Sequence, residues 1–88
     1  MLFMVIERFK PGTLTQIGER FARRGRMLPE GVTYQASWVE PSGARCFQVM
    51  EADDLELLRA WAAQWDDLID FEFLPVLPSE DFWAGKKA

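Results

Sequence analysis

Two strand-like runs joined by one turn constrain this chain more than any other feature. Val32 to Glu40 and Ala44 to Glu51 are rich in β-branched and aromatic residues, which suit a pleated surface. Pro41-Ser42-Gly43 lies between them. Proline presets φ near −65°, and glycine can take the positive φ that closes a three-residue hairpin through a bulge. One strand and one helix precede this hairpin, and one strand and one helix follow it.

The first flank opens with Leu2 to Phe9, whose leading residues are continuously apolar. Such a strand is covered on both faces and sits centrally in its sheet. After Lys10-Pro11-Gly12, Thr13 and Gln16 have capping-box spacing, and Leu14, Ile17 and Phe21 share a helical face. Gly18 lies beside them, and close approach to the sheet is the expected reason for a mid-helix glycine. Gly25 suits the C′ position, beside Arg20, Arg23, Arg24 and Arg26.

On the far flank, Asp53 is the expected cap of a second helix with the stripe Leu58, Trp61, Ala62 and Trp65, two tryptophans read as core. That helix ends on Asp66 and Asp67, where its dipole disfavours negative charge and an external cation should compensate. Phe71 to Leu77 is the last strand, and Pro75 puts it at a sheet edge. Ser79-Glu80-Asp81 caps a short turn carrying Phe82 and Trp83 before a polar Gly-Lys-Lys-Ala end.

The order β-α-β-β-α-β predicts an α+β fold, the ferredoxin-like split βαβ with a four-stranded antiparallel sheet and both helices on one face. Residues 1–78 form this domain, and residues 79–88 a short helical turn and tail. Strands one and three are expected in the centre, and parallel to one another, with two and four at the edges. On that geometry the helix ends coincide, and the arginine cluster should reach Asp66, Asp67 or Asp70.

Composition narrows the chemistry. There is one cysteine and no histidine, which removes a disulfide, histidine general-base catalysis and the usual zinc and haem ligand sets. No cofactor, metal or catalytic residue is assigned. Residues 1–50 carry seven basic and four acidic side chains, and residues 51–88 carry three and ten. Halves of opposite sign complement each other within the fold or across a dimer, and do not mark a nucleic-acid binder. Met1 to Ile6 is too short for a signal peptide or membrane span, so a cytoplasmic protein without a membrane partner is expected. A chain of 88 residues has a small core, yet 49% of it is hydrophobic, including four Trp and seven Phe. That surplus predicts a homodimer that buries the sheet face away from the helices.

The hairpin carries the candidate site. Placing Glu40 opposite Ala44 sets Trp38 against Cys46, Ala36 against Gln48 and Tyr34 against Met50, all on the open face. Gln48 is the polar member of that face, and Tyr34 and Trp38 have apolar bodies with polar tips. Tyr34, Trp38 and Gln48 are the candidate ligand-binding residues; the alternative is a dimer core in which Gln48 bonds Tyr34 or its own copy. Cys46 reads as a small buried hydrophobe, and Glu7 with Arg8 as a solvated pair at a strand end.

The opening Met-Leu-Phe-Met-Val-Ile-Glu, Arg24 to Val32, Ser37-Trp38-Val39, Cys46 to Glu51 and Asp70-Phe71-Glu72 resemble a family of small bacterial proteins known as a domain of unknown function. The pattern is also similar to the dimeric α+β-barrel superfamily, in which two ferredoxin-like sheets pack face to face. That resemblance implies a fold and a dimer. Two functions follow as expectations: a homodimeric binding or interaction module without turnover, holding a small apolar or aromatic ligand, or a cofactor-free enzyme of the monooxygenase or isomerase type.

Overall fold

A computed structural model describes residues 1–86. Its elements are β1 (Leu2–Phe9), α1 (Leu14–Arg24), β2 (Val32–Val39), β3 (Arg45–Ala52), α2 (Leu55–Ala62), β4 (Ile69–Val76) and α3 (Ser79–Ala84). The four strands form one sheet in the order β2-β3-β1-β4. The doubly apolar β1 is central, and the proline-bearing β4 is an edge, as the sequence predicts.

Every neighbouring pair is antiparallel, β1 with β3 included. The expected parallel central pair is therefore corrected. A crossover through α1 makes β1 and β2 parallel, and the tight hairpin then reverses β3. The two helices consequently run in opposite directions. The start of α1 lies beside the segment that follows α2: Lys10 N–H donates to the Leu68 carbonyl at 2.9 Å, and the Thr13 hydroxyl donates to the same carbonyl at 3.3 Å. Thr13 is thus spent on carbonyls and makes no capping box. The α2 cap also moves by one residue, to Asp54, whose Oδ1 accepts from Leu57 N–H at 3.2 Å.

Both helices cover one sheet face. The core beneath them contains Phe3, Val5, Met50, Leu58, Trp61 and Ile69. Helix α2 supplies three buried residues, whereas α1 supplies none. Leu14 and Phe21 are exposed, and Ile17 alone of the expected α1 stripe packs on the core. The opposite face carries Leu2, Met4, Ile6, Phe47 and Val49, all half-buried with nothing over them.

At the hairpin, Gly43 has φ +75° and its N–H donates to the Glu40 carbonyl at 2.8 Å. Glu40 meets Arg45, not Ala44: its N–H donates to the Arg45 carbonyl at 2.9 Å, and its carboxylate accepts two bonds from the Arg45 guanidinium at 2.8 and 3.0 Å. The loop is one residue longer than expected. A bulge between Tyr34 and Ala36 absorbs the difference, so Tyr34 pairs with Met50 while Trp38 pairs with Phe47. Pairing on either side of one extra residue flips which face a strand's side chains take.

Candidate functional site

The bulge separates the candidate residues. Tyr34 and Gln48 lie on the helix-covered side, whereas Trp38 projects from the open face and is 59% exposed. Cys46, Gln48 and Met50 are all buried beneath the helices. The expectation that Tyr34, Trp38, Cys46, Gln48 and Met50 share the uncovered face is therefore corrected; Phe47 and Val49 occupy it instead. A buried amide is tolerated under a helix when its hydrogen-bonding capacity is met, and Gln48 meets it from two sides.

On one side, Gln48 Nε2 donates to Glu7 Oε2. On the other, Arg26 Nε donates to Gln48 Oε1 at 3.3 Å. Glu7 is only 5% exposed, so its reading as a solvated strand-end residue is also corrected. Strand alternation puts it with Phe3 and Val5, while Arg8 points the other way and pairs with Glu72 at 3.1 Å. One amide thus stands between a buried acid and a guanidinium.

Arg26 is held at several points. Its backbone carbonyl accepts from Trp61 Nε1 at 2.8 Å and Trp65 Nε1 at 3.1 Å. The next residue, Met27, turns the chain at φ +60°, a left-handed conformation costing a non-glycine residue about 1–2 kcal/mol. The guanidinium lies 3.6 Å from the Tyr34 ring centroid and 5.2 Å from that of Phe21, within cation–π range. Its Nη2 reaches Ser37 Oγ at 3.5 Å, and Ser37 shares a 2.8 Å hydrogen bond with the Tyr34 hydroxyl. Arg26 has only neutral hydrogen-bond partners, and none of the ion pairs among the described residues includes it.

Because α1 stands off the sheet, a cavity of about 260 Å³ opens beneath it. Glu7, Gln48, Arg26 and Ser37 form its polar part, and Phe9, Ile17, Phe21, Val39, Trp65 and Ile69 its apolar walls. Gly18 also borders it, and a Cβ built there meets nothing within 4 Å. Close helix–sheet approach is therefore not the reason for this glycine; its missing side chain leaves the cavity open.

A family model described as Domain of unknown function (DUF3303) matches residues 1–88. The chain belongs to that family. No curated protein matches it. Among solved structures it is similar to the crystal structure of an uncharacterized NIPSNAP domain protein from Burkholderia xenovorans, at 17% identity and a TM-score of 0.54. The match covers 89% of this chain and 94% of the other, and it bears on the fold alone.

In this DUF3303 chain, burial pushes the Glu7 carboxyl up to about 7, against the opposing pull of the Gln48 hydrogen bond and of Arg26. Burial and the neighbouring Glu7 charge push the Cys46 thiol up to about 11, which suits an inert buried residue. No group of three or more potential metal ligands occurs among the described residues, and no described helix is long and apolar enough to cross a membrane.

The arginine cluster divides. Arg20 makes a two-pronged contact with Asp67 at 2.8 Å for each prong, and also donates to the Gln64 carbonyl at 2.9 Å. Lys10 Nζ donates to the Asp66 carbonyl at 2.9 Å and lies 3.9 Å from Asp70. Of the four arginines expected at the acidic end of α2, Arg20 alone pairs there, from the middle of α1; the second cation is Lys10, ahead of α1, which that expectation did not include. Arg26 alone of the four turns into the cavity.

A larger groove, about 390 Å³, lies between the end of β4 and α3, lined by Met1, Leu77, Phe82, Trp83 and neighbours. No ionisable side chain among the described residues lines it, so the smaller cavity under α1 is the better-built site.

Proposed function

We propose that the protein is a homodimeric binding module that holds a small, largely apolar or aromatic molecule in the cavity beneath α1. The observation that carries this reading is the cavity itself: apolar walls converge on buried Glu7 and Gln48 and the half-buried Arg26, the combination typical of small-molecule sites. At about 260 Å³ it suits a ligand the size of a single substituted ring, since drug-sized ligands occupy roughly 300–1,000 Å³.

The homodimer is supported by a separate surface. Leu2, Met4, Ile6, Phe47 and Val49 form a contiguous apolar sheet face, with the exposed Trp38 at its rim. A second copy of the same face covers it without introducing any new chemistry. The cavity lies on the other side of the sheet, so ligand binding and self-association use different surfaces.

Native mass spectrometry of the purified protein tests both parts. The expected result is a dimer carrying or accepting one small molecule per subunit. A monomer at micromolar concentration overturns the dimer. Failure of a panel of small aromatic compounds to bind the wild-type chain, or equal binding to a Gly18→Phe variant whose side chain fills the cavity, overturns the site.

A further inference from the structure

Arg26 is an unusual surface to leave inside an apolar-walled cavity. Its backbone is fixed by two indoles and its guanidinium by the Tyr34 ring, so it is oriented before any ligand arrives. Its hydrogen-bond partners, Gln48 and Ser37, are neutral. Guanidinium groups bind carboxylates with charge-assisted bonds about twice as strong as neutral ones. The nearest buried acid, Glu7, is kept one amide away by Gln48, which occupies the carboxylate with its own N–H.

We propose, building on the binding site inferred above, that the cavity takes a small monocarboxylic acid, its carboxylate on Arg26 and its apolar body between α1 and the sheet, with Glu7 protonated in the complex. The charge arithmetic requires the proton. A ligand anion and an ionised Glu7 would place two negative charges in one apolar cavity against a single cation. With Glu7 neutral, Arg26 and the ligand balance. The proton comes from solvent and returns to it on release; no bond other than O–H forms or breaks.

The groups facing Glu7 allow this assignment. β3 presents Cys46 in register with it, and the thiol stays protonated near neutrality because burial pushes it up to about 11. β4 presents Phe71, and the α1 face presents Ile17 and Phe21, none of which titrates. Arg26 is the cation within reach. Glu7 itself lies near 7, so the empty cavity is cationic below neutrality and loses that charge above it. Anion affinity should therefore fall as pH rises.

The test is calorimetric titration of the full chain with sodium phenylacetate, and with uncharged phenylacetamide as control. Phenylacetate is expected to bind once per subunit, with affinity falling about tenfold per pH unit above 7. Titrations in phosphate and in Tris should differ in heat by the uptake of up to about one proton near pH 8. Arg26→Gln should lose binding at least tenfold, and Arg26→Lys less. Glu7→Gln should bind phenylacetate with an affinity that no longer varies with pH and without proton uptake. Circular dichroism of each variant establishes that it is folded. Phenylacetamide binding as tightly as phenylacetate, or phenylacetate affinity that is flat in pH, overturns the proposal while leaving the cavity a binding site. If neither compound binds, this proposal fails, and the broader reading is judged on the aromatic panel.

Discussion

Gln48 donates its side-chain N–H to Glu7 across the two central strands, from a position diagonal to it in the ladder. Cys46 is the residue directly opposite Glu7, and Val5 the one opposite Gln48. The diagonal leaves Gln48 Oε1 free to accept from Arg26, so one amide satisfies an acid and steers a cation. Removing it should expose the dependence. Gln48→Leu leaves a buried carboxyl without its donor, and we expect a loss of about 1–3 kcal/mol in urea unfolding at pH 7. A neutral effect would mean that Glu7 finds water or another donor.

Glu7 gives stability a pH dependence of unusual sign for a carboxylate. Its folded value, about 7, lies above the unfolded value of 4.5, so the fold prefers the protonated form. The contribution is full below 4.5, declines through the window from 4.5 to 7 and is absent above it. About 3 kcal/mol is at stake, taking 1.36 kcal/mol for each pH unit between the two values. Glu40 and Asp67 act oppositely: Arg45 and Arg20 hold their carboxyls below the usual range, and their contribution is lost in more acidic solution. Glu7→Gln should therefore be more stable than the wild type at pH 8, with a flatter profile between pH 5 and 7. Urea titrations across that range check it.

Gly18→Ala should stabilise the protein by roughly 0.5–1 kcal/mol, the intrinsic helix preference for alanine. No atom lies within 4 Å of the added Cβ, so nothing opposes the gain. A destabilised variant would mean that α1 packs closer to the sheet than described.

How much of this was legible in the sequence depends on which residues one asks about. The element order, the central β1, the edge β4 and the core roles of Trp61 and Trp65 follow from apolar patterning and from Pro75, because those signals are local. The facing of the hairpin does not. A register counted outward from Pro41-Ser42-Gly43 sets Glu40 against Ala44, whereas the loop is one residue longer and Gln35 bulges to restore the pairing of Tyr34 with Met50. No residue type in that stretch announces a bulge. Glu7 was obscured differently: Leu2 to Ile6 is apolar at every position, so alternation could not say which face continued inward. In the sequence Arg26 is one of four helix-end arginines; the two indole bonds to its carbonyl and its contacts with Tyr34 and Gln48 set it apart.

Arg20→Ala should lower the melting temperature more than Arg23→Ala, since Arg20 bridges Asp67 and the Gln64 carbonyl and lies 5.5 Å from the Trp65 ring centroid. High salt should shrink the difference, as it screens an exposed pair. Equal melting temperatures for the two variants at low salt would show that the bridge contributes nothing.

Trp38→Ser and Phe47→Ser should leave the fold intact and weaken self-association, each by about 1–3 kcal/mol if the open face is the dimer surface. Sedimentation equilibrium measures the shift. Unchanged dimer affinity in both variants would rule that face out.

The bulge in β2 has a further consequence, for how the protein can change over time. Before it, Val32 and Tyr34 face the helices; after it the alternation is inverted, so that Ser37 and Val39 line the cavity and Trp38 answers to the outer surface. One short strand therefore serves two clients that need not agree. Substitutions at Tyr34 should track those at Gln48 and Arg26, while substitutions at Trp38 track Phe47, and the two sets can drift separately. A single-codon insertion or deletion in β2 is the exception. It would exchange the inner and outer rows at once, altering ligand and self-recognition together, and lineages that tolerate it should have lost or rebuilt both.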